Sequence, residues 1–114
     1  MTIGQLKIDR DLAPGTTTLR VSGEVDLATV DSLVEAVEGA VPHGGTLTLD
    51  LVGVEFMDSA GVAGVNRCRR LVAASDAHLI VRCRAGGPVA QLVSWTGLGT
   101  VVEVQLVDGP ASAV

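Results

Sequence analysis

The chemistry this chain can offer is concentrated in Asp58, Ser59, Ala60 and Gly61, within the stretch FMDSAG. Apolar, β-branched residues (TLTLDLVGV) precede it, and VAGVNRCRRL, with helical spacing, follows. A serine at such a strand-to-helix junction can do one of three things. It can cap the helix, attack an electrophile, or accept a phosphoryl group.

Nucleophilic catalysis makes the most specific demand. It needs a base, usually histidine, oriented by a carboxylate, and a sharp turn such as G-x-S-x-G. The context here is M-D-S-A-G, and neither His43 nor His78 is spaced so as to point at Ser59. No catalytic residues are expected, and the protein reads as a non-enzyme. No G-K-[ST] follows the glycines, which excludes a Walker loop. Cys68 and Cys83 are the only cysteines and form no C-x-x-C, and the histidines are not at zinc-ligand spacing from them. Two buried free thiols are expected, with no metal and no cofactor. A redox pair would require their Cα atoms to lie within about 7 Å.

Capping and phosphorylation both stay open on residue chemistry. A serine cap contributes roughly 1 kcal/mol, and it is the simpler reading. The segment is nevertheless poorly built for stability alone. Val62 stands where a capping box wants Glu or Gln. Gly61 and Gly64 each cost about 1 kcal/mol relative to alanine in a helix interior, although they allow another group to come close to the backbone. A phosphoserine adds roughly −1.5 to −2 charge. A helix N-terminus tolerates that anion, whereas Asp58 and the acidic residues before it repel it. Modification there would change the surface more than the fold.

The elements that must position Ser59 follow from periodicity. Leu6-Lys7-Ile8 reads as a short first strand, with a turn at Pro14-Gly15. TTLRVS alternates as a half-buried strand ended by Gly23. Asp26 is expected to cap a helix that buries Leu27, Val30, Leu33, Val34 and Val37, and Pro42 and Gly44-Gly45 stop it. TLTLDL is a third strand. The helix after Ser59 turns Val62, Val65, Cys68, Leu71 and Val72 inward and Asn66, Arg67 and Arg70 outward. AHLIVRC reads as a central strand buried on both faces. GPVAQLVSWTG reads as a helix from Pro88 to a Gly97 C-cap. VVEVQL is the last strand, and residues 108–114 are expected to form a flexible tail.

Alternating strands and helices imply parallel crossovers, and the tight first turn implies an antiparallel opening pair. The expected fold is α/β, a mixed and mostly parallel sheet packed with helices, forming a single domain over residues 1–107.

Composition narrows the function further. With 114 residues, 47% hydrophobic, the chain can build one core without staples. Only one Trp and one Phe are present, too few to stack the bases of a single strand. A net charge of −5 disfavours a phosphate backbone, so no direct nucleic-acid binding is expected. Residues 1–58 hold three cations against ten acids, and residues 59–114 hold five arginines against three acids. No signal-like segment or 18-residue apolar run occurs. A cytoplasmic protein without membrane insertion is expected.

Three ordered segments resemble the bacterial anti-sigma factor antagonists, which are single-domain STAS proteins. SGEVD resembles that family's G-E-[LV]-D turn, and LTLDLVGVEFMDSAGVAGV resembles its phosphoacceptor strand, loop and helix. VAQLVSWTGLGTVVEV resembles its last helix, turn and strand. The likeness spans roughly residues 5–107. It implies partner switching. The unphosphorylated antagonist binds an anti-sigma factor that is also a serine kinase. Phosphorylation by that kinase weakens binding, and a metal-dependent serine phosphatase restores it. Carried onto this chain, Ser59 is the phosphoacceptor, and Asp26, Asp58, Ala60 and Gly61 surround it on the partner-binding surface. Asn66, Arg67 and Arg70 are a local addition, a face able to meet an acidic partner or simply to be solvated. The rival expectation is a structural STAS subunit of a membrane transporter or sensory assembly, with no serine cycle.

Overall fold

The computed structural model describes residues 2–3 and 5–108; of the tail expected over 108–114, residues 109–114 lie outside the described residues. The order is β1 (Thr2–Ile3), β2 (Leu6–Ala13), β3 (Thr16–Val25), α1 (Val30–Ala40), β4 (Thr46–Met57), α2 (Ser59–Ala74), β5 (His78–Arg84), α3 (Pro88–Thr96), a short 3-10 turn (Leu98–Thr100) and β6 (Glu103–Val107). The six strands lie side by side in chain order. β1–β2 and β2–β3 pair antiparallel, and the remaining neighbours pair parallel. The expected mixed sheet is therefore present, with β1 as an additional edge strand.

Strand order explains the layering. Each parallel connection steps the same way across the sheet, and right-handed crossovers then place α1, α2 and α3 on one face. Burial follows. Leu19 and Val21 of β3, Leu47, Leu49 and Leu51 of β4, and Leu79 and Val81 of β5 face the helices, while alternate residues stay outside. β5 therefore alternates rather than being buried on both sides, because no helix among the described residues covers its second face. That open face is polar and carries Asp11–Arg20 at 2.6 Å, Asp50–Arg82 at 3.1 Å and His78–Glu103 at 2.6 Å. A sheet that never reverses its strand order has no switch-point crevice of the kind in which doubly wound folds hold ligands.

Three of the boundaries that differ from expectation lie at the end of the sheet that carries Ser59. Gly23 does not end its strand. It continues β3 with φ +97, and a Cβ there would lie 1.8 Å from the Gln5 carbonyl oxygen. The following amide, Glu24 N–H, donates to that same oxygen at 3.1 Å. TLTLDL extends through Met57, and the β3–β4 register slips between Arg20 and Ser22 and again between Gly23 and Glu24. Such bulges re-aim side chains. After Val54 turns inward, Glu55 and Phe56 both face out before Met57 turns in again. Finally, α1 begins at Val30, and Leu27 is exposed on the preceding loop rather than buried on the helix.

On α2 the fully buried positions are Gly61, Gly64, Val65, Cys68 and Val72, while Val62 and Leu71 are only half-buried. β6 starts at Glu103, because Val101 and Val102 belong to the turn that follows Leu98–Thr100.

Candidate functional site

The site begins where β4 hands the chain to α2. Asp58 is the N-cap, in extended backbone conformation, and its Oδ1 accepts the Gly61 N–H at 3.1 Å. Ser59 is the first helical residue, not the cap. This corrects the simpler sequence reading, and the cause is geometric. The cap carboxylate belongs to the residue whose backbone is still extended, and that residue is Asp58. Ser59 is exposed, and its hydroxyl bonds to no other described residue. The amides at the start of a helix have no intrahelical acceptor. Asp58 takes that of Gly61 and leaves those of Ser59 and Ala60 for other acceptors.

The two glycines have a packing explanation. A Cβ on Gly61 would lie 2.6 Å from Met57 Cγ and 2.8 Å from the Val25 carbonyl oxygen. A Cβ on Gly64 would lie 2.1 Å from Val30 Cγ2. What approaches the helix backbone is the chain itself, and α2 sits tight against β3, β4 and α1. Gly61, expected on the partner-binding surface, is buried and serves to seat the helix. Ala60 is half-buried beside Ser59.

Asp26 lies in the adjoining loop. Asp58 N–H donates to the Val25 carbonyl at 3.4 Å, which ties the two segments together. The Asp26 carboxylate accepts from the Ala28 and Thr29 amides at 3.0 and 3.2 Å, an Asx turn one step ahead of the helix. The Asp26 carbonyl accepts from Val30 N–H at 2.8 Å. Buried Thr29, which sequence reasoning missed, locks this loop. Its hydroxyl donates to the Glu24 carbonyl at 2.8 Å and accepts from the Asp26 amide at 3.1 Å.

The outward residues of α2 separate. Asn66 lines an open groove of about 390 Å³ with Ser59, Val62, Ala63 and the turn Thr96–Leu98 plus Val101. None of these side chains ionises. Asn66 Oδ1 accepts from Arg69 Nε at 3.0 Å. Arg67 and Arg70 instead border a second groove, on the α1 side, with Val34, Glu38, Leu71 and Ala74. Arg67 is paired with Asp31 at 3.0 Å, and Arg70 has no ion pair among the described residues.

Neither histidine stands near Ser59. His43 precedes β4 and His78 begins β5, both at the opposite end of the sheet from the Met57–Ser59 junction. His78 is engaged with Glu103, whose carboxyl its hydrogen bond holds below the ordinary 4.5. Both cysteines are buried free thiols, and burial pushes Cys68 up to about 12 and Cys83 upward. Among the described residues no three potential ligands gather into a metal site, and no helix is long and apolar enough to cross a membrane.

Residues 8–107 match the protein-family model described as "Mlab, STAS domain". Among solved structures the chain is similar to an anti-sigma factor antagonist from Mycobacterium paratuberculosis, with 24% identity and a TM-score of 0.76 over 87% of this chain and 84% of that one. It is also similar to the anti-sigma factor antagonist SpoIIAA in its unphosphorylated form, with 20% identity and a TM-score of 0.66 over 94% and 91%. The Bacillus cell fate determinant SpoIIAA in its phosphorylated form matches with 22% identity and a TM-score of 0.62 over 94% and 95%. At these identities the likeness establishes the shared fold.

Proposed function

The chain belongs to the STAS-domain family, and from that premise we propose that it is an anti-sigma factor antagonist, a non-catalytic binding protein switched off by phosphorylation of Ser59. The observation that carries this reading is the combination at the α2 N-terminus. Asp58 takes the capping role, and Ser59 presents an exposed, unengaged hydroxyl. A purely structural STAS subunit of a transporter or sensory assembly would have no use for that hydroxyl.

In the proposed cycle the partner is an anti-sigma factor with serine kinase activity. Its γ-phosphoryl group passes from ATP to Ser59 Oγ, the hydroxyl proton leaves, and ADP departs. A serine phosphatase returns the hydroxyl by hydrolysis. The modified side chain brings roughly −1.5 to −2 charge to the rim of a groove with no ionisable lining. Docking over it would strip that charge of water, a cost the partner recovers only by pairing it. The Asp26 loop, Asp58, Ala60 and Asn66 would share this surface. The protein would act in the cytoplasm, where ATP and its partners are.

The test is incubation with purified anti-sigma factor kinases and ATP, followed by mass-spectrometric location of the phosphate. Phosphate on Ser59 supports the reading. Phosphate elsewhere, or none with any such kinase, overturns it.

A further inference from the structure

Leu27 and Phe56 are large apolar side chains left in water at the same end of the sheet, 81% and 47% exposed. Backbone pairing joins their segments. Glu24 lies opposite Phe56 and Val25 opposite Met57 across β3 and β4, and Asp58 N–H reaches the Val25 carbonyl. Each is held outward by its own device. The Asx turn at Asp26, locked by buried Thr29, keeps Leu27 off α1 although the helical spacing would bury it. The β4 irregularity at Glu55 turns Phe56 out, where simple alternation from Val54 would bury it. Two unrelated backbone devices, each exposing an apolar residue at the end of the sheet that carries Ser59, make a pre-organised surface.

Charge says what covers it. Between residues 21 and 66 the chain has eight acids and no Lys or Arg. Glu24, Asp26, Glu55 and Asp58 all lie in the strand ends and loops that carry Leu27 and Phe56. A second copy using this face would set acid against acid, so the chain is a poor partner for itself here. We infer that Leu27 and Phe56 are the apolar anchors of a docking surface for a different protein whose matching face is apolar at its centre and basic at its rim. This surface presupposes the antagonist reading only for its purpose, as it borders the Ser59 hydroxyl that would switch it. Opposite rim charge would speed encounter and fix orientation, and the two anchors would supply the binding hot spot.

The probe is a random dodecapeptide phage library selected on the intact, unphosphorylated protein. The best peptides are then titrated against Leu27→Ser, Phe56→Ser and, as controls, Leu12→Ser and Leu106→Ser, which alter leucines exposed elsewhere. Circular dichroism checks that each variant folds. The expected peptides combine Lys or Arg with apolar residues. They lose at least tenfold in affinity on Leu27→Ser or Phe56→Ser, change less than twofold on the controls, and weaken as salt rises. Acidic peptides, equal binding to all variants, no enrichment, or a dimer in sedimentation that Leu27→Ser dissolves would each overturn the assignment. A failed Ser59 phosphorylation would sink the switching cycle alone, since this experiment contains no kinase.

Discussion

The carboxylate of Asp58 accepts the amide hydrogen of Gly61 at 3.1 Å, and the hydroxyl of Ser59, between them, is left without a hydrogen bond to any described residue. The cap and the candidate acceptor are thus neighbouring residues with separate duties. Asp58→Ala is expected to cost about 1 kcal/mol, within the range for lost N-caps. Ser59→Ala is expected to stay within roughly 0.5 kcal/mol of wild type, as for a surface change that breaks nothing. Urea denaturation of the two variants checks this. Equal losses would return the cap to Ser59.

Function separates the same residues differently. Ser59→Ala is expected to bind the cognate kinase persistently and accept no phosphate, and Ser59→Asp to bind it more weakly. Calorimetric titration against the kinase found by phosphorylation mapping measures both. Wild-type affinity in both variants would remove the switch from this serine.

The glycines of α2 are expected to resist the usual stabilising exchange. Alanine in a helix gains about 1 kcal/mol over glycine, but overpacking costs typically 1–3 kcal/mol. At Gly64 the obstacle is Val30 Cγ2, a stiff β-branched side chain in the core. Gly64→Ala is therefore expected to destabilise by about 1 kcal/mol, and adding Val30→Ala should relieve the clash, a coupling that a double-mutant cycle detects. At Gly61 the obstacles include the Val25 carbonyl oxygen, which is backbone and cannot rotate away. Gly61→Ala is expected to cost more, about 2 kcal/mol or above.

Acid should weaken the open face at one identifiable pair. The His78 hydrogen bond lowers the Glu103 carboxyl from the ordinary 4.5. A lowered folded value means a contribution that is present above pH 4.5 and lost as pH falls through the depressed value. Replacing His78 with alanine is expected to raise the Glu103 titration midpoint, followed by carboxyl-carbon NMR. An unchanged midpoint would show that the 2.6 Å contact does not govern Glu103.

Cys68 and Cys83 should be silent in the native state. With Cys68 pushed up to about 12 and both thiols sealed in the core, a thiol reagent at pH 8 is expected to label neither until guanidinium unfolds the chain. Labelling within minutes in native buffer would contradict the packing of α2 on β5.

The elements themselves were legible in the sequence because burial on one face writes its period into the residues. Leu19 and Val21 alternate, Val65, Cys68 and Val72 recur at helical spacing, and Pro88 and Gly97 mark the ends of α3. The D-S-A-G junction and its acidic surroundings were legible as well, being matters of residue type. Tertiary structure alone decided which residue caps α2, what Gly61 and Gly64 make room for, that Asn66 parts from Arg67 and Arg70, and that Leu27 and Phe56 stay in water. The exposure of Phe56 and Leu27 turns on a slipped register between β3 and β4 and on a loop locked by Thr29, and the rest on how α2 packs against its neighbours. Periodicity reports which way a regular backbone points its side chains. Where the backbone departs from regularity, the direction is set by partners distant in sequence, and no local pattern encodes it.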